Sequence, residues 1–374
     1  MEEINEKFYL KLLDFKQNQW KKWVEERRPF SALFELTPRC NMNCVHCYLQ
    51  NVHSAEQLSY EDIISILDIL YEKGILFLVL TGGEILYRKD FLEIYMYAKK
   101  RGFLVELFSN GLLFSDDIIN VLKKFPPLYI DITLYGACET VYRKVTQVNG
   151  AFDKVIDNCK KIKSSGINLS LRTPIIQENE NQIEAMKSIA EKLGVPFACA
   201  FEICPTVDKD NAPQNHQVNL ETILKYEFDD YYRQMRNGER HDKSISDDVV
   251  NDLKNKFIFS CNVGMNSFVI DYKGNMCPCM KLKHQGIKLL GNEFDEIWKQ
   301  FAKYSRMKSS KTYECSKCDS RYYCDICPAE MEFMYGDYEY REPHMCTLAK
   351  ARNSFYRKEK IYLDVLKEMG KSNL

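Results

Sequence analysis

Residues 31–48 read SALFELTPRCNMNCVHCY, an apolar run that leads directly into three cysteines. A short, nearly continuous apolar run is typical of a strand buried on both faces of a parallel sheet. In α/β folds, the loops that follow the carboxyl ends of such strands carry the chemistry. The spacing C-x3-C-x2-C therefore predicts a thiolate-rich site at the end of a first strand, formed by Cys40, Cys44 and Cys47.

Five more apolar runs follow, and they predict the other strands of the same sheet. They read ILFLVL, FLVELF, YIDITL, NLSLR and FACAFEI and occupy residues 75–80, 103–108, 129–134, 168–172 and 197–203. Amphipathic helical patterns lie between them, at residues 59–73, 89–101, 115–124, 151–165 and 179–193. Ser59 is placed to cap the first of these helices. Six strands alternating with helices predict an α/β fold, either an open doubly wound sheet or a barrel.

Changes in composition mark the ends of this alternating part. Two polar, turn-rich stretches, residues 206–216 and 237–247, mark the boundary after the strands. From about residue 259 we expect the alternation to stop, because cysteine, glycine and proline dominate as in a small metal-stapled domain. The predicted divisions are an N-terminal helical segment, a barrel core, a linker, a cysteine-rich iron–sulfur domain and a C-terminal helix, at residues 1–30, 31–235, 236–258, 259–350 and 351–374.

The overall composition narrows the class of protein. The 374-residue chain has 52 Lys and Arg against 53 Asp and Glu, a formal net charge of −1. This balance argues against a nucleic-acid-binding protein that relies on a broad basic surface. No apolar run approaches the roughly 20 residues that a membrane helix needs. The charged start MEEINEKFYL lacks the apolar core of a signal peptide, so the sequence predicts a cytoplasmic protein.

Fifteen cysteines in a cytoplasmic protein of this size indicate metal or redox chemistry rather than disulfides. A second group lies near the C-terminus: Cys261, Cys277, Cys279, Cys315, Cys318, Cys324, Cys327 and Cys346. The cysteines outside both groups are predicted to pack as small core residues, namely Cys138, Cys159, Cys199 and Cys204. Of these, Cys138 and Cys204 lie near strand ends and are the candidates for a role in a site.

Three thiolates can hold three irons of a 4Fe–4S cluster and leave the fourth iron open to another ligand. The alternative hypothesis for the first group is a structural zinc site, which needs four ligands. No fourth ligand stands at normal zinc spacing, and His46 is too close in the chain to its neighbouring cysteines to complete a tetrahedron easily. The iron–sulfur cluster is therefore the favoured hypothesis.

The stretch ELTPRCNMNCVHCY, residues 35–48, resembles the cluster loop of radical S-adenosylmethionine (radical SAM) enzymes, in which an aromatic residue, here Tyr48, follows the third cysteine. The turn TGGE, residues 81–84, follows the second apolar run and resembles the family's GGE turn. The chemistry agrees, since glycines admit a ligand to the backbone and a carboxylate suits an ammonium group. The resemblance implies that the amino group of the SAM methionine is bound by Gly82, Gly83 and Glu84.

Further positions match polar sites of the family. A Ser-Asn-Gly turn that begins with Ser109 and Asn110 resembles the turn near the SAM ribose and carboxylate, and Thr133 ends the fourth run. Relatives often carry Ser-Leu-Asp-Gly where this chain has Thr-Leu-Tyr-Gly, so Tyr135 replaces a substrate-side Asp. Arg172 ends the fifth run and either pairs with the SAM carboxylate or forms a surface salt bridge.

The resemblance implies a partial (β/α)6 TIM-like barrel, which agrees with the six apolar runs. It also implies the reaction, in which SAM chelates the open iron and the reduced cluster donates one electron to its sulfonium. The resulting 5′-deoxyadenosyl radical then abstracts hydrogen from an unactivated C–H bond. The cofactor supplies this step, while the protein binds, orients and excludes competing reactions. An external electron donor such as flavodoxin or ferredoxin is implied as a partner.

The C-terminal cysteines resemble the SPASM domain that follows the barrel in some radical SAM enzymes. The pattern is C-x12-G-x4-C, a gap, C-x2-C-x5-C-x2-C and a distant cysteine, and the family has x3 where this chain has its last x2. The resemblance implies an outer auxiliary 4Fe–4S cluster held by Cys315, Cys318, Cys324 and Cys346. It implies an inner auxiliary cluster held by Cys261, Cys279 and Cys327.

The sequence leaves open the fourth ligand of the inner cluster. Cys277 is one candidate, and the alternative is an open iron that binds a substrate thiolate. Zinc is the competing hypothesis for the whole domain, because two C-x2-C pairs can form a four-cysteine site. Zinc ribbons usually separate such pairs by roughly 15–20 residues, whereas five residues separate Cys318 from Cys324.

Radical SAM enzymes with SPASM domains act mostly on peptides and proteins. The resemblance therefore predicts a maturase that installs an oxidative thioether or carbon–carbon crosslink in a ribosomally synthesised precursor peptide. About 30 residues precede the barrel, too few for a fused peptide-recognition domain. Binding of the leader would then need a separate recognition protein, the mouth of the barrel or the N-terminal helix. The alternatives are a sulfatase (formylglycine) maturase, an enzyme that modifies a small metabolite, and a non-enzymatic iron–sulfur electron carrier or scaffold. The SAM-binding turns argue against the last, because a carrier has no need of SAM.

Overall fold

The structure is a computed structural model that describes residue 22, residues 25–236 and residues 257–371. Most of the predicted N-terminal helical segment at 1–30 and most of the predicted linker at 236–258 lie outside the described residues. The strands, β1 to β9, are Ser31–Glu35, Phe77–Thr81, Leu104–Ser109, Tyr129–Thr133, Leu169–Pro174, Phe197–Ala200, Ser267–Ile270, Asn275–Cys277 and Ile287–Lys288. The α-helices of the described part, α1 to α11, are Tyr60–Glu72, Phe91–Lys100, Asp116–Lys124, Glu139–Thr146, Ala151–Ser164, Ile183–Leu193, Leu220–Arg236, Phe294–Gln300, Ala302–Ser305, Pro328–Tyr335 and Pro343–Lys371.

The six apolar runs of the sequence form β1 to β6, which confirms the predicted parallel α/β sheet. Each strand pairs in parallel with the strand before it in the chain, in the order β6-β5-β4-β3-β2-β1. The carboxyl ends of these strands therefore lie at one edge of the sheet. The cysteine loop and the two polar turns of the sequence follow β1, β2 and β3 at that edge.

The two faces of the sheet differ, which favours the barrel over the doubly wound sheet. On one face Phe34, Leu80 and Ile132 are completely buried, and a Cβ on Gly111 would meet both Ile132 and Val155 of α5. The other face carries polar side chains, including Glu106, Asp131, Ser170 and Arg172. Helices cover both faces of a doubly wound sheet but only the outer face of a (β/α) barrel.

The sheet continues beyond β1 into the cysteine-rich part of the chain, where the sequence analysis predicted no strands. Strand β7, with the sequence SFVI, pairs in parallel with the free side of β1, and β8 and β9 add two antiparallel strands. A four-residue apolar run is too short to be distinguished from a loop by its pattern. Strand β7 satisfies the backbone groups of β1 that would otherwise form a sheet edge.

The predicted helices correspond to α1, α2, α3, α5 and α6, with boundaries that agree within a few residues. The Ser59 hydroxyl caps α1 as predicted, because it accepts a hydrogen bond from the Asp62 N–H at 3.1 Å. Helix α4 has no counterpart in the prediction. It spans eight residues, and its N-cap residue, Cys138, makes no side-chain capping bond. A short helix without a capping signal leaves little trace in a sequence.

The chain forms two compact units by its internal contacts. The first comprises Met1–Val218 and Asn262–Ser305 and contains the nine-stranded sheet. The second comprises Asn219–Cys261 and Arg306–Leu374. The sequence motifs divide the chain at other places, near residues 235 and 259, and that division remains a prediction.

The second unit is held together by α7 and α11. Phe228 of α7 stacks on Phe355 of α11 with ring centroids 3.6 Å apart, and Arg352 pairs with Glu227 at 2.5 Å. No helix among the described residues is long and apolar enough to cross a membrane.

Candidate functional site

The loop that carries the first three cysteines is anchored by α4. The N–H groups of Asn43 and Val45 donate to the carbonyl oxygens of Thr146 and Val145, at 3.1 and 3.0 Å. These carbonyls end the helix, where no further N–H of the helix is available to them. Val45 also packs against an apolar cluster formed by Val145, Ile176 and Ile203. The helix that sequence reasoning missed thus fixes the position of the cysteine loop.

Burial governs the acidity of the three thiols in this loop, none of which is in a disulfide. Cys44 is 7% exposed, and burial raises the pKa of its thiol well above the ordinary value. Burial likewise raises the pKa of Cys40 to about 12 and that of Cys47 to about 11. A metal bound to these sulfurs would reverse the effect, since it stabilises the thiolate form.

The Gly-Gly turn after β2 packs on the start of the cysteine loop. The N–H groups of Gly83 and Glu84 donate to the carbonyl oxygens of Thr37 and Arg39, at 2.8 and 2.9 Å. A Cβ on Gly82 would lie 2.3 Å from the Thr37 oxygen, and a Cβ on Gly83 would lie 2.3 Å from the Arg39 oxygen. Both positions therefore require glycine because the two backbone segments are in contact. The sequence analysis had inferred a different requirement, the approach of a ligand to the backbone.

The buried carboxylate of Glu84 ties this turn to the turn after β3. Oε1 accepts hydrogen bonds from the Leu86 N–H at 3.0 Å and the Ser109 hydroxyl at 2.9 Å, and Oε2 accepts one from the Asn110 N–H at 2.7 Å. Burial raises the pKa of this carboxyl group, and the hydrogen bonds oppose that rise. Three predicted SAM-binding residues thus form one network, while their contact with SAM remains a prediction.

Asn110 extends this network to the cysteine loop. Its side-chain amide donates to Asn41 Oδ1 at 2.8 Å and to Cys40 Sγ at 3.7 Å. Its Oδ1 accepts from the Leu112 N–H at 3.1 Å, which holds the amide in this orientation. The structure therefore brings together the three motifs found in the sequence.

Thr133 and Arg172 are register partners on β4 and β5. Arg172 Nη2 pairs with Asp131 Oδ2 at 2.5 Å, and its guanidinium lies 4.5 Å from the centroid of the Phe108 ring. Of the two roles that the sequence leaves open for Arg172, pairing with a protein carboxylate is the one seen. Pairing with the SAM carboxylate remains a prediction.

Asp131 is a candidate site residue that the sequence analysis did not identify. It is 8% exposed and accepts hydrogen bonds from both Ser170 and Arg172 on the neighbouring strand. The available signal was an aspartate in the middle of the apolar run YIDITL. A carboxylate there must find partners on the polar face of the sheet, because burying it unpaired is costly.

A buried ion pair lies against Tyr48. Glu35 at the end of β1 is fully buried, and its Oε1 accepts a hydrogen bond from the Tyr48 hydroxyl at 2.6 Å. The same oxygen pairs with Lys283 Nζ, which lies 4.6 Å from the centroid of the Tyr48 ring. Burial raises the pKa of the Tyr48 hydroxyl, so it stays protonated and donates. Tyr48 thus links the cysteine loop to β1 and to the segment after β8.

His46 and Tyr135 pack against each other, with ring centroids 5.6 Å apart. Burial, together with a smaller effect of nearby His216, lowers the pKa of His46 to about 4, so the imidazole is neutral at pH 7. Tyr135 also makes an edge-on contact with the Tyr142 ring at 5.6 Å. The residue that departs from the family motif therefore packs against the cysteine loop instead of presenting a carboxylate.

Cys277 and Cys279 differ in surroundings although one residue separates them. Cys277 is fully buried, and its thiol donates to the carbonyl oxygens of Asn275 at 3.4 Å and Lys283 at 3.8 Å. A Cβ on Gly286 would lie 2.6 Å from this sulfur. Burial raises the pKa of the Cys277 thiol well above its ordinary value, whereas Cys279 is partly exposed. These contacts disfavour Cys277 as a cluster ligand, a role that remains a prediction.

In the second unit, the predicted ligands of the outer cluster surround one cavity. The cavity has a volume of about 230 Å³ and is lined by Cys315, Cys318, Cys324 and Cys346. Within residues 25–236 and 257–371, no three His, Cys, Asp or Glu side chains converge closely enough to hold a single metal ion. Each thiolate of a 4Fe–4S cluster binds a different iron. Four thiols around a cavity therefore fit a cluster.

The other predicted ligands are divided between the units. Cys261 and Cys327 belong to the second unit and Cys279 to the first, and their ligation of one inner cluster remains a prediction. Of the predicted core cysteines only Cys159 is buried, and the prediction is wrong for Cys138, Cys199 and Cys204, which are partly exposed. Cys138 precedes α4, and the other two lie on or after β6, the edge strand of the sheet.

Two curated proteins illustrate the relatives of this chain. It is 24% identical over 335 residues to the AdoMet-dependent heme synthase of Methanosarcina barkeri, an alignment that covers 84% of this chain and 96% of that protein. It is 26% identical over 255 residues to AlbA, the antilisterial bacteriocin subtilosin biosynthesis protein of Bacillus subtilis, which covers 67% of this chain and 55% of AlbA.

The fold resembles that of SuiB from Streptococcus suis, solved with bound S-adenosylmethionine, with a TM-score of 0.67 and 15% identity over 85% of this chain and 77% of SuiB. SuiB bound to its precursor peptide SuiA gives a TM-score of 0.65 at 15% identity over 88% and 80%. At this identity the likeness concerns the fold alone. The radical SAM superfamily model matches residues 34–189, and the SPASM iron–sulfur cluster-binding domain matches residues 261–319. The chain therefore contains a radical SAM domain, residues 34–189, which is followed by a SPASM iron–sulfur cluster-binding domain, residues 261–319.

Proposed function

We propose that this protein is a maturase that installs an oxidative thioether or carbon–carbon crosslink in a ribosomally synthesised peptide. The observation that carries the proposal is the hydrogen-bond network that joins Cys40, Glu84, Ser109 and Asn110. Turns from three adjacent strands meet there, so one ligand can contact the cysteine loop and both polar turns at once.

A 4Fe–4S cluster would be held by Cys40, Cys44 and Cys47, with SAM against Glu84 and the Ser-Asn-Gly turn. Together these groups supply reductive cleavage of SAM to a 5′-deoxyadenosyl radical, which abstracts hydrogen from unactivated C–H bonds. The residues fit this role because the thiols are grouped in one anchored loop. Burial also destabilises their thiolate form, which a bound metal cation would stabilise. Glu84 offers the methionine ammonium a carboxylate that is 1% exposed.

The chain's own residues restrict what this site can bind. The α4 carbonyls and the Gly-Gly turn hold the backbone of the cysteine loop, and Asn110 orients the Cys40 sulfur. Cys44, Glu84 and Asn110 are buried, which keeps water away from the reacting groups. Fixed donors and excluded water are what a site for a reactive intermediate requires.

The relatives support a peptide as the substrate. AlbA is named for subtilosin biosynthesis, and SuiB was solved with its precursor peptide. We propose that a precursor peptide is the substrate here, that flavodoxin or ferredoxin donates electrons, and that a separate protein recognises the peptide. We further propose three 4Fe–4S clusters, one in the cysteine loop and two auxiliary clusters that accept the electron released when the crosslink closes.

A second candidate is modification of a small metabolite of the tetrapyrrole class. The heme synthase of Methanosarcina barkeri aligns with this chain over 96% of its length, which favours that candidate. Three cations near the polar edge of the sheet argue the other way, because Arg172, Lys281 and Lys283 are already paired with Asp131, Glu202 and Glu35. Anionic substituents of a tetrapyrrole would have to break such pairs.

Mass spectrometry of a candidate precursor peptide, co-expressed with this protein, tests the proposal. A crosslinked product is expected to be two hydrogens lighter than its precursor. Inverted stereochemistry at unchanged mass would indicate epimerisation, and formylglycine on a sulfatase would indicate the sulfatase alternative. Either result, or turnover of a tetrapyrrole while peptides stay unmodified, would defeat the crosslinking proposal.

A further inference from the structure

The cavity of the second unit has an excess of positive charge beside its four cysteines. It is lined by three cationic residues, Arg321, Arg341 and Lys350, and by one carboxylate, Glu314. The remaining lining residues, Ile326 and Ala349, are apolar. The thiols in this cavity therefore face more cations than anions.

Arg341 contacts a predicted ligand directly. Its Nε–H donates a hydrogen bond to Cys346 Sγ at 3.3 Å. Its Nη1 pairs with Glu314 Oε2, so the carboxylate holds the guanidinium in place. The planar guanidinium can serve both partners at once, which a lysine ammonium at this position cannot reproduce.

Arg321 is held by a hydrogen bond to the backbone. Its Nη2 donates to the carbonyl oxygen of Ile258 at 3.3 Å, within the same unit. Arg321 lines the same cavity as Cys315, Cys318 and Cys324. Its charge therefore lies beside the cavity thiols, and Arg341 donates to one of them directly.

Charge on the sulfurs bears on a cluster's redox behaviour. One-electron reduction adds a negative charge to the cluster, and hydrogen bonds to the sulfurs and net charge set the reduction potential. Outer partners of this kind tune a metal site without binding the metal. Two arginines that line the cavity of the ligand sulfurs should therefore stabilise the reduced form.

We propose that Arg321 and Arg341 are positioning residues that raise the reduction potential of the outer auxiliary cluster. The inference rests on the proposed outer cluster and adds the residues that tune it. The redox reaction concerned is the one-electron reduction of the cluster by an external reductant, and no bond is made or broken.

The test is a redox titration of the full-length, anaerobically reconstituted protein, followed by electron paramagnetic resonance. The signal of the outer cluster is the one that disappears in Cys315→Ala. For both Arg341→Gln and Arg321→Gln, we expect the ratio of reduced to oxidised cluster, measured at the wild-type midpoint, to fall about tenfold, which corresponds to ~59 mV for one electron. Arg341→Lys keeps the charge but loses the Nε–H donor, so it should fall between the wild type and Arg341→Gln.

The matched control is Arg357→Gln, because Arg357 lies exposed on the same helix as Cys346 and does not line the cavity. Its midpoint should equal that of the wild type. Unchanged midpoints in both Gln variants would overturn the inference, and so would loss of the cluster from all three arginine variants while the control keeps it. A wild-type protein without any signal that depends on Cys315 would instead overturn the proposed outer cluster, and with it this inference.

Discussion

The cysteine loop of the first unit and the cavity of the second present the same ligand type in opposite electrostatic surroundings. Besides burial, the Glu84 carboxylate raises the pKa of Cys40 and Glu35 raises that of Cys47, with Lys283 as the opposing cation. Around the cavity, cations outnumber the single carboxylate. A cluster in the loop is therefore expected to be the stronger reductant, and one in the cavity the better electron acceptor.

The two regions also differ in how they are built. The loop is fixed by backbone contacts, with α4 on one side and the Gly-Gly turn on the other. In the cavity, the Cys346 thiol accepts a hydrogen bond from the Arg341 side chain. Small backbone changes should therefore damage the loop, whereas side-chain changes should tune the cavity.

The largest expected effect is a loss of iron from the cysteine loop alone, with the cavity unaffected. Replacing Cys40, Cys44 and Cys47 together by Ala should lower the iron content after anaerobic reconstitution from about twelve to about eight per chain, because only one of three clusters loses its ligands. Iron and sulfide analysis measures this loss. If the triple variant lost all its iron, the regions would not be independent, and zinc in protein purified without oxygen would reject the cluster assignment.

The second-largest expected effect follows from adding a single methyl group to the Gly-Gly turn that packs on the loop. Gly83→Ala places a Cβ 2.3 Å from the Arg39 carbonyl oxygen, so we expect a loss of about 3 kcal/mol of stability and poor loading of the first cluster. Chemical denaturation and iron analysis measure the two effects. The control, Gly102→Ala, has no neighbour within 4 Å of its Cβ but has a φ of +91°, so it should lose some stability through backbone strain and still load iron normally. Equal loading in both variants would show that the backbone contact is unimportant.

Removing one charge should weaken SAM binding and leave the loop intact. We expect Glu84→Gln to reduce SAM affinity by about 1–3 kcal/mol, the range for a hydrogen bond to a charged group. Iron content should not change, because the backbone bonds from the turn to Thr37 and Arg39 do not involve the carboxylate. Equilibrium binding of SAM measures the effect, with exposed Glu56→Gln as the control. Wild-type affinity in Glu84→Gln would reject the predicted role.

The smallest expected effect concerns Cys277. Its thiol is bonded to two backbone carbonyls, so Cys277→Ala should keep its full iron content, whereas Cys279→Ala should lose about four irons. Iron analysis of the two variants side by side makes the comparison. An equal loss in both would show that Cys277 is a ligand after all.

Local patterns predicted much of the fold and of the loop. The apolar runs identified β1 to β6, and the cysteine spacing with the two polar turns identified residues that the structure joins through Glu84 and Asn110. Each of these signals lies within a few consecutive residues.

Features that depend on partners distant in the chain could not be predicted from the sequence. Strand β7 is recognisable only from its pairing with β1, and Lys283 meets Glu35 across 248 residues of chain. Helix α4 matters because its last carbonyls accept bonds from the cysteine loop, which its own sequence does not reveal. The excess of cations around Cys346 likewise arises from residues that only the fold assembles.

The most direct test of the central claim is the yield of 5′-deoxyadenosine from SAM under reducing conditions. The account predicts that the wild type and Cys315→Ala both form this product, because SAM cleavage needs only the cysteine loop. It predicts no product from the Cys40, Cys44 and Cys47 triple Ala variant. Product from the triple variant, or none from a wild type with its full iron content, would contradict the account.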